Sequence, residues 1–349
     1  MTKAQMLRLH KYAGLAMAAL LLVQALTGAL LLYRGPVARW IDPAGMVSHS
    51  SARTISPGVA VLQAERASPG FTVSRLFAPE ADNATWLAEL SSEEGETRYA
   101  SIDPAGGKLL RAGTVWSFPV EGALQIHYRL MAGKAGMAVI ALNAIALFTM
   151  AVTGLAYWWP KKGPLSKHLS IRWNMAARLV LRQAHRTLGV IMAMLLCFMA
   201  VTGLLLVVPD LVEPSAPAAH RPPANPASID RALALAQSAF PQSALRDFRL
   251  SADRMTVNFQ APERNPRAVH RAIVTMFAPH IVTATRAENN GALWMTILPL
   301  HAGNSFGAAG PVLLMIVALA LLALTISGPV MWWQAKGMRR RTLARKQAA

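Results

Sequence analysis

At 349 residues the chain has room for two or three domains, and its composition narrows their kind. With 54% apolar and 15% charged residues and a mean hydropathy of +0.33, it is too apolar for an ordinary soluble protein of this size. The net charge of +18 would suit a nucleic-acid partner in a soluble chain, but the placement of that charge excludes one.

Four apolar runs free of charged residues are each long enough to cross a hydrocarbon core, which takes about 20 residues. They are Ala13–Tyr33, Met137–Trp159, Thr187–Val208 and Pro311–Trp333. Basic residues gather beside their ends without a single acid among them. These are Lys3, Arg8 and Lys11 before the first run, then Lys161, Lys162, Lys167, Arg172, Arg178, Arg182 and Arg186 between the second and third. Lys336, Arg339, Arg340, Arg341, Arg345 and Lys346 follow the fourth. This bias places both termini and the middle loop in the cytoplasm and the two long connections outside.

In chain order the expected organisation is a first span within 1–36, read as a permanent anchor and not a removed leader. An outer domain at 37–120 follows, then a second span with its preceding histidine segment at 121–160 and a basic cytoplasmic loop at 161–184. The third span falls at 185–209, a second outer domain at 210–296, the fourth span with its histidine segment at 297–334, and a basic tail at 335–349. Each outer domain should open with a helix: Ser56 caps one that starts at Pro57, and Ser228 caps the other. The alternating runs Phe71–Phe77, Thr85–Leu90, Leu245–Leu250 and Met255–Gln260 read as strands, and Asp103-Pro-Ala-Gly-Gly107 as a turn. The only cysteine, Cys197, lies in the third span, so the outer domains must hold themselves by packing. Trp158-Trp159 and Trp332-Trp333 close their spans as an interfacial aromatic belt. The fold class is a membrane α+β protein: a four-helix bundle with two small α+β domains.

The halves repeat. His10, Gly14 and Leu26-Thr27-Gly28 recur 175 positions later as His185, Gly189 and Val201-Thr202-Gly203. Leu124-Gln-Ile-His127 and Val152-Thr153-Gly154 recur 174 positions later as Leu298-Pro-Leu-His301 and Ile326-Ser327-Gly328. So many coincidences at two nearly equal offsets point to a tandem duplication with a pseudo-twofold axis along the membrane normal.

Helical spacing puts His10, Gly14, Met17, Leu21, Gln24 and Gly28 on one stripe, and His185, Gly189 and Gly203 on the matching one. The pseudo-symmetry then sets His10 against His185 near the cytoplasmic surface and His127 against His301 near the outer surface. Two imidazoles facing across a bundle can ligate one haem iron axially. Gly14 and Gly189 would leave room for a flat macrocycle. Gly28 and Gly203 lie 18 residues from their histidines, roughly 27 Å along the helix, beside the outer pair. The Thr-Gly pairs serve either such openings or close helix packing. Zinc or copper transport would want intramembrane carboxylates, and the spans hold none. His49, His168, His220, His270 and His280 have no repeat partners and read as surface residues. Arg129 and Lys134 would neutralise haem propionates or sit at head groups. Arg246, Arg249, Arg254, Arg264, Arg267 and Arg271 cluster in the second outer domain, as a solvated face or a cradle for an anion. Ile171–Arg186 reads as an amphipathic stretch for the inner head-group layer. No Gly-x-Gly-x-x-Gly or phosphate-binding loop occurs, so no nucleotide or flavin site is expected.

These parts, in this order, resemble the PepSY-associated transmembrane proteins of bacteria, and among them the iron-regulated inner-membrane ferric-siderophore reductases. The resemblance rests on the basic start with His10, on Leu26-Thr27-Gly28, on the Asp103-Pro-x-Gly turn and on the His127 and His301 segments. It departs from the pattern where Ala278-Pro279-His280 replaces the second turn. It implies PepSY-like periplasmic domains and two b-type haems on His10 with His185 and His127 with His301. It also implies electron flow outward to a ferric siderophore, fed by a quinol or a separate reductase. The competing reading is a non-redox membrane-anchored PepSY module that regulates an envelope partner.

Overall fold

Apolar length dominates the local structure: where the sequence offers an unbroken apolar run, the backbone closes its own hydrogen bonds as a helix. The computed structural model describes residues 1–41, 54–80, 84–160, 162–213 and 225–347. Among them, four helices are long and apolar enough to cross a membrane. These are α1 (Lys3–Leu32), α5 (Gly133–Trp158), α7 (Ala177–Val212) and α10 (Ala309–Gln347). The chain divides into two compact units.

The first unit comprises Met1–Leu32, Gln125–Val212 and His301–Ala349 and holds the four long helices. Each packs against two neighbours: α1 and α7 both touch α5 and α10, so α1 lies opposite α7 and α5 opposite α10. Exposed apolar side chains such as Leu142, Ile145, Phe148, Ile191, Met194, Leu319 and Ile326 cover the outside, as a lipid-facing surface requires. The helices overrun the apolar runs at both ends. Residues 171–186 form no separate interfacial helix, because α7 starts at Ala177 and runs straight through His185 into the span. Thr187 bonds Leu169 and Arg186 bonds Ser170, which ties the preceding loop and its short helix α6 (Leu165–Leu169) to α7.

The second unit comprises Tyr33–Leu124 and Glu213–Leu300. It was expected as two small α+β domains, but the two segments share one antiparallel sheet. Each gives four strands, in the order β4-β3-β2-β1-β5-β6-β7-β8. The strands are β1 (Thr72–Phe77), β2 (Trp86–Ser91), β3 (Thr97–Ile102), β4 (Leu109–Gly113), β5 (Leu245–Leu250), β6 (Arg254–Gln260), β7 (Val269–Thr275) and β8 (Ile281–Thr285). Each half runs helix then four strands, with α3 (Pro57–Ala67) before β1 and α8 (Pro226–Ala239) before β5. Ser56 caps α3 as its sequence suggests. On α8 the cap is Asn225 with Pro226 at the first position, three residues before Ser228, because Asn-Pro supplies both signals earlier. The Asp103 turn forms as expected, with its carboxylate accepting from Ala105 and glycines 106 and 107 at positive φ.

Both helices lie on one face of the sheet and share one core. Ala60, Val61 and Ala64 of α3 and Ile229, Ala232 and Ala236 of α8 cover Leu76, Leu90, Ile102, Phe248, Met255 and Phe259. Small residues let the two helices approach, and a Cβ at Gly58 would strike the Pro226 carbonyl. The seam is the β1–β5 ladder, where Phe77 pairs with Asp247 and Arg75 with Arg249. Asp247, only 1% exposed, takes Arg75 at 3.0 Å and the Asn258 amide at 3.0 Å. Removing this carboxylate leaves buried donors unpaired. Asp247→Ala should therefore cost about 3 kcal/mol or more of stability, read as a lowered thermal unfolding midpoint of the full chain.

Candidate functional site

The bundle brings together both expected histidine pairs. The ring centres of His10 and His185 lie 6.4 Å apart, and those of His127 and His301 also 6.4 Å apart. His10 and His185 sit on the opposed helices α1 and α7. His127 and His301 end two short helices, α4 (Pro119–Arg129) and α9 (Trp294–His301), that precede α5 and α10. Along α1, His10 belongs to one pair and Gly28 touches the other, so the pairs lie at opposite ends of the bundle.

Each imidazole is anchored by a neighbouring helix of its own half, always through Nδ1. His10 Nδ1 lies 2.9 Å from the Met150 carbonyl and His185 Nδ1 2.7 Å from the Ser327 hydroxyl. His127 Nδ1 is 3.0 Å from the Thr27 hydroxyl and His301 Nδ1 2.8 Å from that of Thr202. The acceptors fix the tautomer. A carbonyl only accepts, and the single protons of Thr27, Thr202 and Ser327 are donated to the helix carbonyls of Val23, Phe198 and Leu324. All four rings therefore carry their proton on Nδ1 and keep a lone pair on Nε2, the arrangement found in ligating histidines. For His127 and His301, which precede their spans, burial pushes the pKa down to about 4 and about 3 and favours the neutral ring.

Glycine makes the space for each ring. A Cβ at Gly28 would lie 3.0 Å from His127, at Gly154 3.0 Å from His10, at Gly203 3.3 Å from His301 and at Gly328 3.7 Å from His185. The glycines of the Thr-Gly pairs thus lie against the histidine rings. Gly154 and Gly328 were not singled out from sequence, although the same Val-Thr-Gly and Ile-Ser-Gly triplets mark them. Gly14 and Gly189 instead receive the side chains of Met150 and Leu324 from the neighbouring spans. A second glycine pair, also missed, builds the elbows after α4 and α9. A Cβ at Gly136 would fall onto the Arg129 carbonyl, and one at Gly310 onto the Gly303 carbonyl. In the first elbow Leu130 and Met131 both adopt positive φ, a strained turn that reverses the chain directly behind His127.

Arg129 and Arg186, one beside each pair, each bury an Nε that has no hydrogen-bond partner. Among the described residues no group of three or more His, Cys, Asp or Glu gathers. Each pair thus stands as two histidines without a third such side chain among the described residues. A family model described as the PepSY-associated TM region matches residues 7–335. The chain belongs to the PepSY-associated TM family. No curated protein gives a significant match. The family match spans both histidine pairs and all four of their glycine seats.

In this PepSY-associated chain the remaining histidines differ from the sequence reading in one case. His270 is 7% exposed, stacked 4.8 Å from Phe240, accepting from the Ala287 amide and facing Glu263 at 2.9 Å. It is a satisfied core residue, hidden from pattern reading because β7 carries it on the covered face. His280 is exposed and His168 half-buried, and His49 and His220 lie outside the described residues. The elbow glycines carry a direct test. Gly136→Ala and Gly310→Ala should each cost about 3 kcal/mol or more through backbone collision. Gly337→Ala, with open space around it, should leave the thermal midpoint unchanged or raised.

Proposed function

We propose that this chain is a transmembrane electron-transfer protein of the bacterial inner membrane. It holds one b-type haem at each histidine pair and reduces ferric iron bound to a siderophore-type chelator. The carrying observation is the pair geometry. A transition metal binds an imidazole nitrogen at about 2 Å, and about 1 Å more separates that nitrogen from its ring centre, so two imidazoles sharing one metal ion would stand roughly 6 Å apart. Both pairs stand at 6.4 Å with their Nε2 lone pairs free. A site of two histidines would suit haem iron, which needs only two ligands from the protein. His10 with His185 and His127 with His301 would hold the two groups. The orphaned Nε atoms of Arg129 and Arg186 suit propionates.

A haem bound at each end would supply a one-electron redox centre there. The chain's own residues supply fixed tautomers, seated rings and an apolar shell that keeps water from the iron. The basic loops orient the His10–His185 end to the cytoplasm and the His127–His301 end to the periplasm, with two PepSY-like segments outside, arisen by duplication. In the overall balance a quinol gives up two electrons and two protons to become a quinone, and two ferric centres become ferrous. Ferrous iron binds hard oxygen donors more weakly, so the chelator releases it.

Purified protein made with adequate haem should carry two low-spin haems per chain. His10→Ala and His185→Ala should remove the same haem, and His127→Ala and His301→Ala the other. A haem content near zero would sink the reading and favour a regulatory module. The donor is separately testable. The short cytoplasmic segments are too small for a nucleotide-binding domain, and the sequence carries no dinucleotide motif. A quinol analogue should reduce the reconstituted protein, whereas NADH alone should not. Rapid reduction by NADH in preparations free of other dehydrogenases would overturn the quinol assignment.

A further inference from the structure

Strand alternation sends Leu76, Phe248, Val257 and Ala272 into the core beneath α3 and α8, so their neighbours occupy the face that no helix of the core covers. That face is cationic at the seam. Arg75 and Arg249 are directly paired across β1 and β5, an arrangement that costs stability when both are charged. Arg271 follows two strands on, paired with Asn258 of β6. Asp247 is already engaged with Arg75 at 3.0 Å, with Asn258 at 3.0 Å and with Arg246 at 3.9 Å. Glu89 is paired in register with Arg75. Around Arg249, Arg75 and Arg271 repel while Asp247 and Glu89 attract.

The other arginines of the sequence cluster are occupied. Arg246 bonds the Arg267 carbonyl, Arg264 the Ala287 carbonyl, and Arg254 faces Asp253. Arg249 is exposed and makes no hydrogen bond or ion pair among the described residues, and Arg271 buries an Nε with no partner. A buried guanidinium nitrogen without an acceptor, beside a second free arginine, is costly unless an anion completes it.

We infer that this face binds a multiply charged oxyanion of the polycarboxylate class at Arg249 and Arg271, with Arg75 at its edge. The two arginines stand two strands apart and two residues out of register, roughly 12 Å between their backbones at the usual strand spacing and rise. A single small anion would sit between them, while a ligand with several carboxylates reaches both guanidiniums in bidentate fashion. On the reading proposed above, which this extension rests on, the anion is the chelate itself: an oxygen-ligated ferric complex with net negative charge. Arg75 comes from the first segment and Arg249 and Arg271 from the second, so the shared sheet is what assembles the site.

The test uses the full chain in phosphatidylcholine nanodiscs, with ferric citrate, metal-free citrate and a charge-neutral ferric trihydroxamate as probes in titration calorimetry. Ferric citrate should bind, weaken as salt rises, and lose tenfold or more in affinity in Arg249→Gln and Arg271→Gln. Arg249→Lys, which keeps the charge but not the fork, should fall between. The neutral chelate should be indifferent to all three. Equal citrate binding by parent and double variant overturns the inference. So does a parent that ignores citrate but, in parallel nanodiscs containing phosphatidylglycerol, binds that lipid through these arginines, which would make the ligand a lipid headgroup. Haem content separates the two proposals. Normal haem without citrate binding defeats this inference alone, and citrate binding without haem defeats the electron-transfer reading.

Discussion

One hydrogen bond per imidazole organises the bundle. Because Nδ1 of each histidine is held by the adjacent helix of its own half, the ring is fixed in orientation, and Nε2 is left without a protein hydrogen bond to make there. That bond dictates the rest. The neighbour must present an oxygen with no proton to offer, so a helix carbonyl or a back-bonded hydroxyl serves. It must also lack a Cβ beside the ring, so glycine follows one residue after Thr27, Thr202 and Ser327 and four residues after Met150. The helix carrying the outer histidine must reverse at once to begin a span, so a glycine at 136 or 310 admits the preceding carbonyl. Threonine back-bonding, ordinarily a mild cost within a helix, becomes the means of fixing a tautomer.

The two halves of the sequence meet in each unit by different physics. Within the bundle the halves meet through opposed histidines, with apolar helix packing around them. Within the extramembrane unit they meet through backbone hydrogen bonds of the β1–β5 ladder and a shared apolar core. An edge strand left unpaired in each half would invite association with other chains, and joining β1 to β5 removes one such edge from each. The polar seam around Asp247 then lies where neither half alone could complete it.

Much of this was legible in the sequence, for physical reasons. Apolar length identifies spans, helical periodicity assigns the His10–Gly28 stripe to one face, and repetition pairs histidines 175 and 174 positions apart. Strands with strict alternation were legible too, within a residue at most ends. What escaped depends on contacts between distant elements. That Thr27 serves His127 and not its own stripe partner is a fact of antiparallel packing between α1 and the segment before α5. The union of two outer segments into one sheet follows from pairing at β1, whose sequence reads the same at an edge or in the middle. His270 looked like a surface residue because its partners, Phe240 and Ala287, come from other elements.

The departures from symmetry show how narrowly it is required. Gln24 faces Met199 across the repeat, Asn143 faces Val317, and Tyr128 with Asp210 corresponds to Ala302 with Gly35. In the first half Asn143 is 3% exposed with an unpartnered Oδ1, and the Gln24 Nε2 is likewise buried without a partner. Tyr128 donates to Asp210 at 2.6 Å, a link across the halves for which the repeat holds no counterpart. Burying such groups costs free energy that an apolar residue avoids, as the matching Met199 and Val317 demonstrate. The histidine, its oxygen acceptor and its glycine seat vary only within narrow chemical limits between halves, Ser327 for Thr and the Met150 carbonyl for a hydroxyl. Pseudo-symmetry is therefore a property of the ring-holding contacts, and the helices between them are free to differ.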